Sequence, residues 1–301
     1  MPKKRILLIG SSGQVGWELQ RCVQTLGEVV AVGRNRSQIT AGYIDLANPD
    51  SIRSIIREVK PTLILNAAAY TAVDQAEQEA ELAHQINGTA PGILAEESLR
   101  LNALLIHYST DYVFNGDHTL PYTEKETVNP IGVYGTSKLA GEQAIQAVGG
   151  HYFILRTAWV YGLQGKNFLV TMQRLAKERD ELKVVMDQTG TPTWSRMIAE
   201  ATSQIITQLY SPLSQADLGR LSGIYHLTCA GQTSWYKFAK AIIAQCEKQP
   251  RVLPITTAEY PTPTKRPTYS VLCNAKLAET FGITLPKWDR ALDLCLGTNT
   301  K

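Results

Sequence analysis

Residues 5–23 constrain the fold more than any other part of the chain. Ile6-Leu7-Leu8-Ile9 is a short, wholly apolar run, which suits a strand covered on both faces of a parallel sheet. Gly10-Ser11-Ser12-Gly13-Gln14-Val15-Gly16 follows at once, and Trp17-Glu18-Leu19-Gln20-Arg21-Cys22-Val23 reads as an amphipathic helix. Strand, glycine turn and helix in that order predict the first unit of a doubly wound α/β sheet. In such a turn glycines let the backbone approach a pyrophosphate, whose charge sits among the unpaired N–H groups of the helix N-terminus. The spacing is G-x-x-G-x-x-G rather than the G-x-G-x-x-G of the simplest dinucleotide fingerprint. Gly10, Gly13 and Gly16, with Ser12, Gln14 and Val15 between them, are therefore candidate cofactor contacts.

The second strand, over residues 28–32, bears on which dinucleotide would bind. An acid about 20 residues past the glycines holds a ribose 2′-hydroxyl, whereas arginine accommodates a 2′-phosphate. Gly33-Arg34-Asn35-Arg36-Ser37 offers no acid and two cations. NADPH is expected, with Arg34 and Arg36 near the 2′-phosphate and NADH as the alternative; the plain reading is two solvated loop arginines. Asp45 and Leu46, after the next apolar step, are further candidate contacts, and Asn48-Pro49-Asp50-Ser51 starts a helix. Residues 62–66 read as a strand ending in Ala67-Ala68-Ala69-Tyr70-Thr71. Small side chains there bring Ala68 and Ala69 close to a cofactor, with Tyr70 and Thr71 flanking its nicotinamide ribose. A helical stretch over about 75–99, broken near Gly88 or Pro91, leads to Leu104-Leu105-Ile106-His107-Tyr108. That strand delivers Ser109-Thr110-Asp111 at its carboxyl end, where ligands of such sheets bind.

Tyr134 and Lys138 stand four residues apart in a helix expected from about Asn129-Pro130 to Ala147, so they share one face. An ammonium beside a phenol favours the phenolate and lowers its pKa from about 10 toward neutrality. With Thr110 holding a carbonyl oxygen against the same phenol, the set suits protonation of oxygen while hydride reaches carbon. Taken alone, such a pair is as readily a surface i,i+4 contact.

The whole is expected to be a Rossmann-type doubly wound parallel sheet with a smaller C-terminal substrate lobe. Residues 1–164 would bind the dinucleotide, with a returning strand near 223–228, and residues 165–301 would mainly form the substrate lobe. A length of 301 residues allows a sizeable core. The net charge of +3 is too small to argue for nucleic acid. Five dispersed cysteines without C-x-x-C read as reduced thiols in a cytoplasmic protein with no metal site. No apolar run reaches the ~18 residues of a membrane span, so no membrane partner is expected.

Four stretches together resemble the extended short-chain dehydrogenases/reductases: Gly10-x-x-Gly13-x-x-Gly16, Asn66-Ala67-Ala68-Ala69, Ser109-Thr110-Asp111-Tyr112-Val113-Phe114 and Tyr134-Gly-x-Ser-Lys138. More narrowly, the chain is similar to the dTDP-4-dehydrorhamnose reductases. That likeness rests on Gly13-Gln14-Val15-Gly16-Trp17-Glu18-Leu19, Ala72-Val73-Asp74, Arg156-Thr157-Ala158-Trp159-Val160-Tyr161, Asp187-Gln188-x-Gly190-x-Pro192-Thr193 and Tyr260-Pro261-Thr262-Pro263. The resemblance implies NAD(P)H-dependent reduction of the C4 ketone of dTDP-4-dehydro-β-L-rhamnose, the last step of dTDP-rhamnose biosynthesis. Tyr134 would donate the proton, Thr110 would bond the oxygen, and Lys138 would tune Tyr134 and grip the nicotinamide ribose. Val73, Asp111, Trp159 and Arg266 would contact the dTDP-sugar. Trp159 is equally read as core packing after a strand, and Lys265-Arg266 as either a pyrophosphate clamp or solvated cations. Some members dimerise through Mg²⁺ held by acids from both subunits. Here those positions match Glu18, Ser195-Arg196 and Asp293, where a cation replaces one acid. A monomer without bound metal is expected. Two other readings are a different sugar-nucleotide reductase or epimerase, and a non-catalytic NADP-binding subunit.

Overall fold

The computed structural model describes residues 4–34, 42–210 and 217–297. β1 (Arg5–Ile9) lies inside a seven-stranded sheet. It is flanked by β2 (Glu28–Gly33), with β3 (Gly42–Tyr43) outside that, and by β4 (Leu63–Asn66). β5 (Leu104–Thr110), β6 (Tyr152–Thr157) and the strand Gly223–His226 complete the far side. Every pairing in this sheet is parallel. The strand order reverses between β1 and β4, and the ligand crevice of such sheets opens at that switch.

Period-two alternation explains the two layers. Ile6, Leu8, Leu63, Leu65, Ile106 and Leu155 face one way, onto Leu19 of α1 (Gln14–Cys22) and Ile198, Ile205 and Ile206 of the helix Ser195–Tyr210. Leu7, Ile9, Ile64, Leu105 and Ile154 face the other, onto α2 (Pro49–Val59) and the helices that follow β4. The helix start read at Asn48 is real: its side chain accepts from the N–H groups of Asp50 and Ser51, with Pro49 next.

The helical stretch after β4 is in pieces: α3 (Val73–Ala76), α4 (Ala80–His84), a π-helical turn Gln85–Thr89 and α5 (Ala90–Leu101). The π turn is the break expected near Gly88. It lies against α6 (Val133–Val148), the helix of Tyr134 and Lys138. Contact there is close enough that a Cβ on Gly141 would sit 2.1 Å from the Asn87 carbonyl oxygen. This seam therefore positions α6.

Residues beyond 164 contribute to both layers of the molecule. Helices Phe168–Glu178, Trp235–Ile243 and Trp288–Leu296 build a second core on Tyr161, Leu169, Phe238, Ile242 and Leu292, beside the parallel strand pair Glu181–Val185 and Arg251–Ile255. Helix Ser195–Tyr210 and strand Gly223–His226, by contrast, belong to the Rossmann sheet and its cover. Among the described residues, no helix is long and apolar enough to cross a membrane.

Candidate active site

The glycine turn closes on itself. Gly10 has φ +84°, and a Cβ on it would lie 2.7 Å from the Ala68 nitrogen; one on Gly16 would lie 2.1 Å from the Gly10 carbonyl oxygen. These two positions accept no other residue without a shift of backbone. Gly13 caps α1 with no side-chain hydrogen bond, so the first-turn N–H groups are left to a ligand. Ser11 Oγ and Gln14 Oε1 are buried there without a hydrogen-bond partner. Ser12 and Gly13 are exposed at the mouth, with Val15 half-buried behind them. Open amide donors beside orphaned polar atoms fit a dinucleotide pyrophosphate.

The loop after β4 lies beside this turn, as expected for Ala68, Ala69, Tyr70 and Thr71. Asn87 of the π turn clamps it: Asn87 Oδ1 accepts from the Tyr70 N–H (2.8 Å), and Asn87 Nδ2 donates to the Tyr70 carbonyl (3.0 Å) and to Ser137 Oγ (3.0 Å). One buried amide thus joins the loop to α6. The Tyr70 hydroxyl is already used, donating to Glu79 at 2.8 Å. Asp45 is half-buried, its carboxylate accepting from the Ala47 N–H (3.0 Å). The Leu46 side chain belongs to the core, which leaves only its backbone to meet a ligand. Arg34 is exposed at the end of β2, and Arg36 lies outside the described residues.

Thr110, at the carboxyl end of β5, and Tyr134, in the first turn of α6, are brought together: the Thr110 hydroxyl is close enough to the Tyr134 phenol to favour its charged form. Tyr112 packs its ring edge-on against Tyr134, with centroids 5.6 Å apart. The expected lowering of the Tyr134 pKa is not what this site does. Burial pushes it up to about 12; the Thr110 hydroxyl opposes this, and the Asp111 charge adds to it. The Lys138 Nζ is engaged at β5. Lys138 is 2% exposed, and its Nζ donates to the Tyr108 carbonyl (2.6 Å) and meets His107 Nε2 at 3.2 Å. Burial pulls Lys138 down to about 8, against the pull of Glu142 one turn on. Shared helical face did not mean contact, since each side chain follows the neighbour that its own turn offers.

Asp111 is 2% exposed. Burial pushes it up to about 6, while Ser270, Thr110 and backbone amides hold the charged form. Thr110 Oγ1 donates to Asp111 Oδ1 (3.1 Å), but Oδ2 is buried with no partner. Arg266 reaches the same region from the proline-rich loop, donating to Asp74 at 2.9 Å, and its Nε is buried and unpartnered. Thr264 Oγ1 donates to the Val73 carbonyl (3.0 Å), which fastens that loop over α3. Lys265, its neighbour, is exposed. Trp159 is half-buried with φ +46°, a left-handed conformation rare for a bulky residue. Its indole stacks on Trp235 with centroids 3.6 Å apart and planes within 6°, and a Cβ on Gly190 would come 2.4 Å from it. A strained backbone held by two distant segments marks a built position rather than loose packing.

The positions read as a departed metal site have a clear occupant. Arg196 Nη1 donates to Glu18 (3.3 Å) and Nε to Glu200 (2.7 Å), so a guanidinium lies between the two carboxylates. Asp293 accepts from Gln245 Nε2 (3.0 Å). Among the described residues, no three His, Cys, Asp or Glu side chains are grouped to hold a metal ion.

Five residues of the site were missed in the sequence: Asn66, Asn87, His107, Trp235 and Ser270. Of these, His107 and Asn66 carried a local signal, each a polar residue in an apolar strand. The family model for the RmlD substrate binding domain matches residues 4–300. The dTDP-4-dehydrorhamnose reductase of Burkholderia thailandensis is 46% identical over 301 residues, covering 97% of this chain and 98% of its own. A crystal structure of a dTDP-4-dehydrorhamnose reductase from Clostridium acetobutylicum superposes with a TM-score of 0.88 at 38% identity, covering 97% of this chain and 98% of that one. The enzyme of that name from Bacillus anthracis, crystallised in complex with NADP, gives a TM-score of 0.88 at 34% identity, covering 99% of this chain and all of that one (100%).

Proposed function

The chain belongs to the RmlD substrate binding domain family, and from that membership we propose that it reduces the C4 ketone of dTDP-4-dehydro-β-L-rhamnose to dTDP-L-rhamnose with NADPH. This is the last step of dTDP-rhamnose biosynthesis. The observation that carries the reading is the approach of Thr110 to Tyr134 at the mouth of the sheet, in a chain matched end to end by reductases of that name. When bound, the cofactor supplies the hydride that the ketone carbon takes. Gly10 to Gly16 hold its pyrophosphate, Ala68 to Thr71 line its path, and Arg34 meets the 2′-phosphate.

Tyr134 donates the proton to the ketone oxygen. Burial holds that proton on the phenol through the neutral range, so the group enters the reaction in its acid form. Thr110 bonds the same oxygen. Charge left on the phenol oxygen would be offset by the ammonium of Lys138, one turn further along α6. Asp111 Oδ2, buried and unpartnered, accepts a sugar hydroxyl. Arg266 Nε, with Val73 beside it, faces the sugar nucleotide, and Trp159 on its Trp235 stack gives the hexose an apolar wall.

NADPH consumption on adding dTDP-4-dehydrorhamnose, formed in situ from dTDP-glucose by the two preceding enzymes, tests the whole reading. Arg34→Ala in the same assay should raise the KM for NADPH about tenfold, the worth of one charge-assisted hydrogen bond, and leave that for NADH unchanged. Equal effects on both cofactors would show that Arg34 is a solvated cation.

We read the protein as a monomer, on the strength of the Glu18–Arg196–Glu200 contact. A buried divalent ion beside that guanidinium is opposed by like charge. Sedimentation velocity should give the same monomeric mass with Mg²⁺ and with EDTA. A dimer that EDTA dissolves would be incompatible with this reading.

A further inference from the structure

His107 is 1% exposed in the middle of β5, and both its ring nitrogens are engaged. Asn66 Nδ2 lies 3.0 Å from Nδ1, and Lys138 Nζ lies 3.2 Å from Nε2. Asn66 has its own orientation settled, because its Oδ1 accepts from the Ala68 N–H at 3.3 Å. Turning that amide over would set NH₂ against N–H. Its Nδ2 therefore donates to the imidazole, Nδ1 must carry the lone pair, and the single proton of a neutral ring falls on Nε2. That N–H points at Nζ, the nitrogen that also donates to the Tyr108 carbonyl.

We propose that His107 is a positioning residue for Lys138: pinned by Asn66 as the Nε2–H tautomer, it aims a donor at Nζ and weakens the ammonium form of the lysine. The inference rests on the role given to Lys138 above. Other groups around Nζ do not reverse it. Glu142 stands one turn further along α6 and favours the ammonium, but its carboxylate is committed to Arg156 of β6 and to Ser109 of β5. Tyr134 and Asp111, on the site side, act on each other and on Thr110. The imidazole itself stays neutral, since burial and the Lys138 charge hold it well below the usual histidine range. The chain of contacts also joins Lys138 to Ala68, in the loop read as a cofactor contact. Strain in that loop on binding would reach the lysine through one amide and one ring.

Two experiments test this. Long-range proton–nitrogen NMR of the imidazoles, of which the chain has five, identifies the tautomer of each ring. The expected result for His107 is neutral Nε2–H at neutral pH; an Nδ1–H ring or an imidazolium would overturn the proposal, whether or not the sugar nucleotide is turned over. In the coupled assay, activity should fall as pH rises through the Lys138 titration, near 8 in the free protein. His107→Gln places an unpinned amide there, which turns its oxygen to Nζ and favours the ammonium. The alkaline limb of kcat should then move up by about one pH unit, with substrate KM within about twofold. A purely structural role would lower kcat and stability without moving that limb, and that outcome would also defeat the proposal.

Discussion

Tyr134→Phe lowers kcat by about 10²- to 10⁴-fold, the usual contribution of a positioned acid, and leaves the KM for NADPH within about twofold. That loss corresponds to about 3–5 kcal/mol of transition-state stabilisation. The reasoning starts from one atom. The Tyr134 hydroxyl lies near Thr110 at the carboxyl end of β5, and burial keeps its proton in place through the neutral range. Phe retains the ring, its edge contact with Tyr112 and its seat in the first turn of α6, so fold and cofactor site are preserved. What goes is the proton that the ketone oxygen needs. A matched measurement of NADPH affinity by fluorescence separates the two effects. Should the variant keep more than about a tenth of the wild-type kcat, the proton comes from elsewhere.

Glu142→Ala destabilises the fold by about 3–5 kcal/mol, because it strands a buried charge. Arg156 donates to both Glu142 oxygens, at 2.9 and 2.6 Å, and the two side chains are 3% and 0% exposed. Ser109 donates to the same carboxylate at 2.5 Å. These bonds pin α6 to β5 and β6 one turn below Lys138, and Arg156 already carries one buried nitrogen without a partner. For a chain of this size the loss is worth roughly 10 °C in Tm. Replacing both partners, Glu142→Leu with Arg156→Leu, should recover most of it, since an apolar pair leaves no buried charge and only the Ser109 hydroxyl without its acceptor. A double variant as unstable as the single one would mean that α6 is held by packing lost with the carboxylate rather than by charge pairing. Urea unfolding of both variants decides this.

Much of the sheet was legible because its signals are local. Ile6 to Ile9 is apolar on both faces since both faces are covered, and the turn after it needs glycine at Gly10 and Gly16 because backbone lies where a Cβ would be. Asn48 announces its helix by capping it. The contacts within the site were less legible. Periodicity placed Tyr134 and Lys138 on one face of α6 and so suggested a pair, yet one side chain approaches Thr110 and the other meets His107. Trp159 was visible as a candidate, but Trp235, which fixes it, lies 76 residues away and had no pattern of its own. Arg266 and Lys265 looked alike in the chain; only the former has an acid within reach.

By itself, then, the amino-acid order determined the layers and the glycine cradle and proposed the reacting groups, all from hydrogen-bonding needs and side-chain spacing within a few residues. Tertiary structure alone decided the electrostatics. Burial raised Tyr134 and lowered Lys138, the reverse of the mutual tuning that their spacing suggested. It also turned Asn66, His107 and Lys138 into one hydrogen-bonded line from β4 through β5 to α6. Desolvation and donor–acceptor matching depend on which distant segments close around a group, and no spacing along the chain encodes that.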